Sequence, residues 1–153
     1  MFKSYELCKH WRKSDKLEDK IKLANNGDEA DIDDLMKDPR WSQCKEIKKA
    51  AIVLYGDDKY LDKLVHDHDP IVREAVASIG RKQDLDLLVY DENAWVRDAV
   101  AKYGRDKDLD VLVHDPDWVV RKAVAEHGRK KDLAILIKDV NNVVRKIAIA
   151  KQG

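Results

Sequence analysis

Residues 104–127, GRDKDLDVLVHDPDWVVRKAVAEH, carry two apolar patterns of helical spacing. Leu109, Leu112 and Val113 stand at i, i+3 and i+4, and after Asp115-Pro116-Asp117 the spacing returns in Val120, Ala123 and Val124. Each set lines one face of an α-helix, and the Pro-containing segment between them is a turn. A strand would need a polar residue at every second place of Leu112-Val113 and Ala123-Val124-Ala125, where none occurs.

The same 24 residues recur from Gly56, Gly80, Gly104 and Gly128. Leucine holds the sixth place (Leu61, Leu85, Leu109, Leu133) and the ninth (Leu64, Leu88, Leu112, Leu136), followed by Val65, Val89, Val113 and Ile137. Aspartate holds the twelfth (Asp67, Asp91, Asp115, Asp139), and Val-Arg the seventeenth and eighteenth, ending in Arg73, Arg97, Arg121 and Arg145. The twelfth-place Asp and the fourteenth-place Asp69, Asn93, Asp117 and Asn141 suit a helix N-cap; the opening Gly suits a helix C-terminus. Each unit leaves roughly two turns for its first helix, short enough to be partly 3₁₀, and two to three for its second.

A divergent unit, residues 27–55, carries an insertion around Trp41-Ser42-Gln43-Cys44, and residues 1–26 form an N-terminal helical cap in which Asp15 and Glu18 predict a capping box. Neither short helix buries its stripe alone, so repeats 56–79, 80–103, 104–127 and 128–153 must stack. The prediction is one all-α solenoid domain over residues 1–153.

Composition narrows the function. Thirty basic and thirty acidic residues cancel, which speaks against a nucleic-acid-coating protein. The longest uncharged stretch, Ala50 to Gly56, is far below the roughly 20 residues of a membrane helix, and the N-terminus shows no apolar signal segment. Only Cys8 and Cys44 are present, so a cytoplasmic setting is expected. Charge is uneven: +3 over residues 1–26, −8 over 27–127 and +5 over 128–153.

The period, with Leu-x-x-Leu-Val/Ile-x-Asp, a Pro- or Asx-containing turn and Val-Arg-x-Ala-Val-Ala, resembles the leucine-rich repeat variant (LRV) and is similar to bacterial HEAT-like repeats. The likeness covers residues 56–153 well, 27–55 loosely and 1–26 hardly at all. It implies a right-handed α-solenoid of short two-helix repeats whose first helix is 3₁₀. Some members of the variant family have an N-terminal iron–sulfur segment, but two cysteines cannot supply four thiolates, so no cofactor is carried over. HEAT-like relatives also imply two alternatives, a DNA-binding or DNA-repair protein and a bilin-lyase-like repeat protein.

The Asp/Arg pairs are read as a structural ladder of Asp67, Asp91, Asp115 and Asp139 with Arg73, Arg97, Arg121 and Arg145, because a catalytic site is single whereas this feature recurs in each regular unit. His66-Asp67-His68-Asp69 is dense in possible ligands, yet consecutive side chains on a turn diverge, and no metal is assigned. Phosphate-loop, dinucleotide and nucleophile-elbow motifs are absent, so the reading is not an enzyme. Function is expected from what varies between units. Trp95 and Trp118, near the starts of second helices, either form an aromatic contact patch or cover the seam between units. Asp98, Lys102, Lys122, Glu126 and Lys146 lie off the apolar stripe and complete the candidate partner-binding set. The expected function is a repeat scaffold for a protein or peptide partner, with end-to-end self-association through the C-terminal repeat.

Overall fold

The computed structural model describes residues 10–55 and 58–153. Those residues are helical with no strand among them, and none of their helices is long and apolar enough to cross a membrane. Cys8 and Gly56 lie outside the described residues. The chain divides into two compact units, residues 1–75 and 76–153.

In the first unit, a helical turn at residues 10–13 precedes α1 (Leu17–Asn26), α2 (Glu29–Lys37), α3 (Lys45–Tyr55) and α4 (Asp58–Leu64). Helix α1 packs on α2 and α3, α2 on α3, and α3 on α4. Leu23, Ala24, Ile32, Leu35, Ile47, Ala51, Ile52, Leu61 and Leu64 form the core. The expected Asp15/Glu18 capping box does not form: α1 starts at Leu17, Lys16 makes no side-chain cap, and Asp15 instead accepts from Arg40 Nη1 at 3.0 Å. The capping box opens α2, where Asp28 accepts from the Asp31 N–H and Asp31 accepts from the Asp28 N–H. The insertion after Asp38 folds as a wide turn closed by Ser42 N–H to Asp38 C=O and Cys44 N–H to Trp41 C=O.

Helix α5 (Pro70–Ile79) carries residues of both units. The second unit continues with α6 (Lys82–Leu88), α7 (Ala94–Tyr103), α8 (Asp106–Leu112), α9 (Trp118–His127), α10 (Lys130–Leu136) and α11 (Asn142–Gln152). The second helices α7, α9 and α11 pack in sequence, and α8 and α10 lie against the second helices on either side of them. Ala99, Ala101, Ala123 and Ala125 are buried; such small residues let neighbouring helix axes approach closely.

The first helices are α-helical, not 3₁₀. The reason lies in the stripe: in a 3₁₀ turn i and i+3 eclipse while i+4 rotates away, which would lift Val89 and Val113 out of the core, where both are buried. Bonds of i+3 type are confined to the helix ends, as in Asp91 N–H to Leu88 C=O. The fourteenth-place residues are the N-caps: Asn93, Asp117 and Asn141 accept from the N–H groups of Trp95, Val119 and Val143. The twelfth-place aspartates stand two residues earlier and brace the turn, Asp91, Asp115 and Asp139 accepting from the N–H groups of residues 93, 117 and 141. Gly104 closes α7 at φ +80°, and a Cβ there would lie 2.2 Å from Cε1 of His127, so both backbone and space call for glycine.

Candidate interaction surface

The repeated charges are committed to holding repeats together. Arg97 grips Asp115 of the next repeat through Nε (2.7 Å) and Nη2 (3.0 Å), while its Nη1 donates to the carbonyls of Asp91 and Glu92 in its own turn. Arg121 does the same with Asp139 and with the carbonyls of Asp115 and Pro116. Arg73 and Arg145 hold their own turns in the same manner, Arg73 on Asp67 and His68, Arg145 on Asp139 and Val140. In the divergent repeat a lysine stands in the arginine's place: Lys48 Nζ donates to Asp67 at 2.6 Å.

A second set of bridges escaped the sequence reading. Arg105 and Arg129, second in their repeats, clamp the buried Asp108 and Asp132 on their own helices and reach back to Asp86 and Asp110 of the preceding repeat. Lys107 and Lys131 join them on Asp86 and Asp110. The divergent repeat follows the same scheme with local substitutes. Asp33 takes Lys59 and the Tyr60 hydroxyl, and Asp31, at the place of Asp108, is held by Arg12 from the N-terminal segment, with Arg12 Nη2 at 2.8 Å. The recurrence of Arg81, Arg105, Arg129 and of Asp84, Asp108, Asp132 was the available signal.

These contacts set the electrostatics. The hydrogen bond to Arg121 holds the Asp139 carboxyl below the ordinary carboxylate range against its burial. Burial alone would raise Asp31 and Asp67, but Arg12 and the Asp28 N–H on one, and Lys48 and the Asp69 N–H on the other, outweigh it and hold both low. Burial, reinforced by Asp33, pushes the Tyr60 hydroxyl up to about 12. Carboxyls lowered in the folded state bind fewer protons than in the unfolded chain, so their stabilisation is complete above the unfolded value of about 4 and is lost as pH falls through the folded values. Thermal unfolding followed by circular dichroism should therefore show a midpoint that is level above about pH 5 and drops steadily below about pH 4. A midpoint unchanged down to pH 3 would mean that these pairs add no stability.

The remaining candidates fall into two groups. Trp95 is 60% exposed and Trp118 41% exposed. Both precede the first core valine of their helix, Val96 or Val120, and so start the helix on its outer side. Pro116, Trp118, Arg121, Val140 and Asn141 line an open groove beside Trp118. Four of the five charged candidates pair with one another. Asp98 is buried at 4%, contrary to the expectation of an exposed residue, and is paired with Lys102. Lys122 pairs with Glu126 at 2.6 Å. Lys146 is exposed.

Among the described residues no group of three His, Cys, Asp or Glu side chains is placed to hold a metal ion. His66 and His68 are exposed, Asp67 is committed to Lys48, and Asp69 caps α5. Burial pushes the Cys44 thiol up, away from thiolate chemistry, and it donates to Glu46. A cleft of about 320 Å³ in the first unit is lined by Arg12, Lys20, Asp31 and Trp41. Its charges are largely consumed within its walls, Arg12 by Asp31 and Lys20 by the Arg12 carbonyl.

The chain matches no protein-family model and no curated protein.

Proposed function

We propose that the protein is a non-enzymatic repeat scaffold of the cytoplasm that presents its second helices to a protein or peptide partner. The observation that carries this reading is the exposure of two tryptophans at the starts of adjacent second helices, one of them, Trp118, beside an open groove. Large aromatic side chains supply much of the binding energy of interfaces, and leaving them in water has no folding benefit of its own. The LRV- or HEAT-like character and the right-handed winding that the resemblance implies belong to the same reading.

The test is a pull-down with the intact protein and with the variant carrying Trp95→Ala and Trp118→Ala. Surface truncations of this kind cost little stability, on the order of 0.5 kcal/mol each, so the variant should stay folded by circular dichroism. A partner captured by the intact protein should be lost by the variant. Equal capture by both would remove the tryptophan face from the reading, and salt-sensitive capture of duplex DNA would replace it with the nucleic-acid alternative.

A further inference from the structure

The face that residues 128–153 turn away from the preceding repeat departs from the pattern of the seams between repeats in three ways. At the seventh place, where Asp86 and Asp110 receive the arginine and lysine of the following repeat, stands Ala134. At the twenty-second, where Ala101 and Ala125 are fully buried, stands Ile149, 60% exposed. At the eighteenth, Arg145 is retained. Its Nη1 holds the carbonyls of Asp139 and Val140, as the other ladder arginines hold their turns, while Nε and Nη2, the edge that grips a carboxylate in Arg97 and Arg121, carry no hydrogen bond among the described residues.

These departures point to a particular kind of occupant. Another regular repeat would bring an arginine and a lysine to Ala134 with no acceptor there, and would meet an isoleucine where the seams admit alanine. What remains is a guanidinium edge beside apolar surface: Ile149 one helical turn on from Arg145, and Val140, 91% exposed, whose carbonyl Arg145 holds. The field is positive. Residues 128–153 carry seven Lys and Arg against two Asp, and both aspartates are already held, Asp132 by Arg129 and Asp139 by Arg121. In the first unit, groups from outside the regular repeats hold the equivalent aspartates, Arg12 of the N-terminal segment on Asp31 and Arg40 of the divergent repeat on Asp38.

We propose that Arg145, Ile149 and Val140 form a docking site for an acidic segment of a protein partner, which places a carboxylate on the free edge of Arg145 and an apolar side chain against Ile149. The planar guanidinium selects a carboxylate by two parallel hydrogen bonds, and the net positive charge of residues 128–153 favours a segment of net negative charge. Val140 also lines the groove beside Trp118, whereas Arg145 and Ile149 do not, and the variants below change only those two.

The probe is a synthetic peptide with the sequence of residues 108–119, whose Asp115 fills the equivalent edge of Arg97 inside the protein, and a control peptide with its four aspartates replaced by asparagine. Added to the full chain, the acidic peptide should shift the Nε–H resonance of Arg145 to saturation and leave those of Arg97 and Arg121 in place. Arg145→Lys, which keeps a donor for the turn carbonyls but loses the fork, should weaken binding roughly tenfold. Ile149→Asp, which leaves Arg145 and its turn untouched, should weaken it similarly. The proposal is overturned if the Arg145 signal does not move, if the asparagine peptide binds as well as the acidic one, or if the chain alone forms a dimer in sedimentation that Arg145→Lys abolishes, which would assign the face to a second copy.

Discussion

Replacing Arg97 by alanine is expected to destabilise the second unit by about 3–5 kcal/mol, the range seen when one partner of a buried ion pair is removed. The side chain does two jobs at once. It neutralises Asp115, whose side chain is only 4% exposed, and it ties the carbonyls of Asp91 and Glu92 so that the turn leading into α7 keeps its form. Its loss leaves the buried carboxylate with the Asp117 N–H and takes a charged donor from two carbonyls. Arg97→Lys should fall between, because Lys48 on Asp67 shows how a single ammonium serves the same place with one bond in place of a fork. Urea unfolding monitored by circular dichroism gives the measurement. An unchanged midpoint would mean that the bridge between repeats contributes nothing and that apolar packing alone joins them.

Asp31→Ala should be the most damaging single change in the first unit, at about 2–4 kcal/mol, from the loss of an N-terminal capping interaction and of charge-assisted bonds to Arg12. Asp31 is buried, closes the capping box of α2 and anchors the guanidinium that ties the N-terminal segment to the first repeat. Without it the segment loses its shortest tie to α2, while Arg12 keeps Asp28 at 3.2 Å and Lys20 still donates to the Arg12 carbonyl. Limited proteolysis should then cut near residues 10–16 faster than in the parent chain, and the two readouts separate local release from global unfolding. If cleavage is unchanged, the segment is held by something other than Arg12.

Much of this was legible in the residues, and what was missed has a physical cause. The two-helix unit, its turn and its closing glycine follow from spacing alone, since Leu109, Leu112 and Val113 admit only one periodicity. The recurrence of Asp115 with Arg97 and Arg121 marked them as a pair class, although only the stack shows that Arg97 reaches forward to Asp115 while Arg121 braces that same turn. The +5 charge of residues 128–153 includes the basic run Arg129-Lys130-Lys131, for which spacing alone names no partner. Two of its members are in fact bound to carboxylates of the repeat before, because the side of a short helix that meets a neighbour depends on stacking, which a 3.6-residue period does not specify. Asp98 shows the same limit. Its place lies off the apolar stripe, yet the alanine-lined helices around it pack closely enough to cover residues flanking that stripe.

The bridging groups recur at fixed places, and this makes the second unit concatenable. A duplicate of residues 104–127 inserted after His127 would offer its own Arg105 and Lys107 to the original Asp110, and its own Asp115 to the original Arg121. Its own Arg121 and Asp110 would meet Asp139 and the Arg129–Lys131 pair as before. Each charge finds its counterpart and none is stranded. Length in such a protein is therefore a discrete variable, adjustable in steps of 24 residues without redesigning a junction.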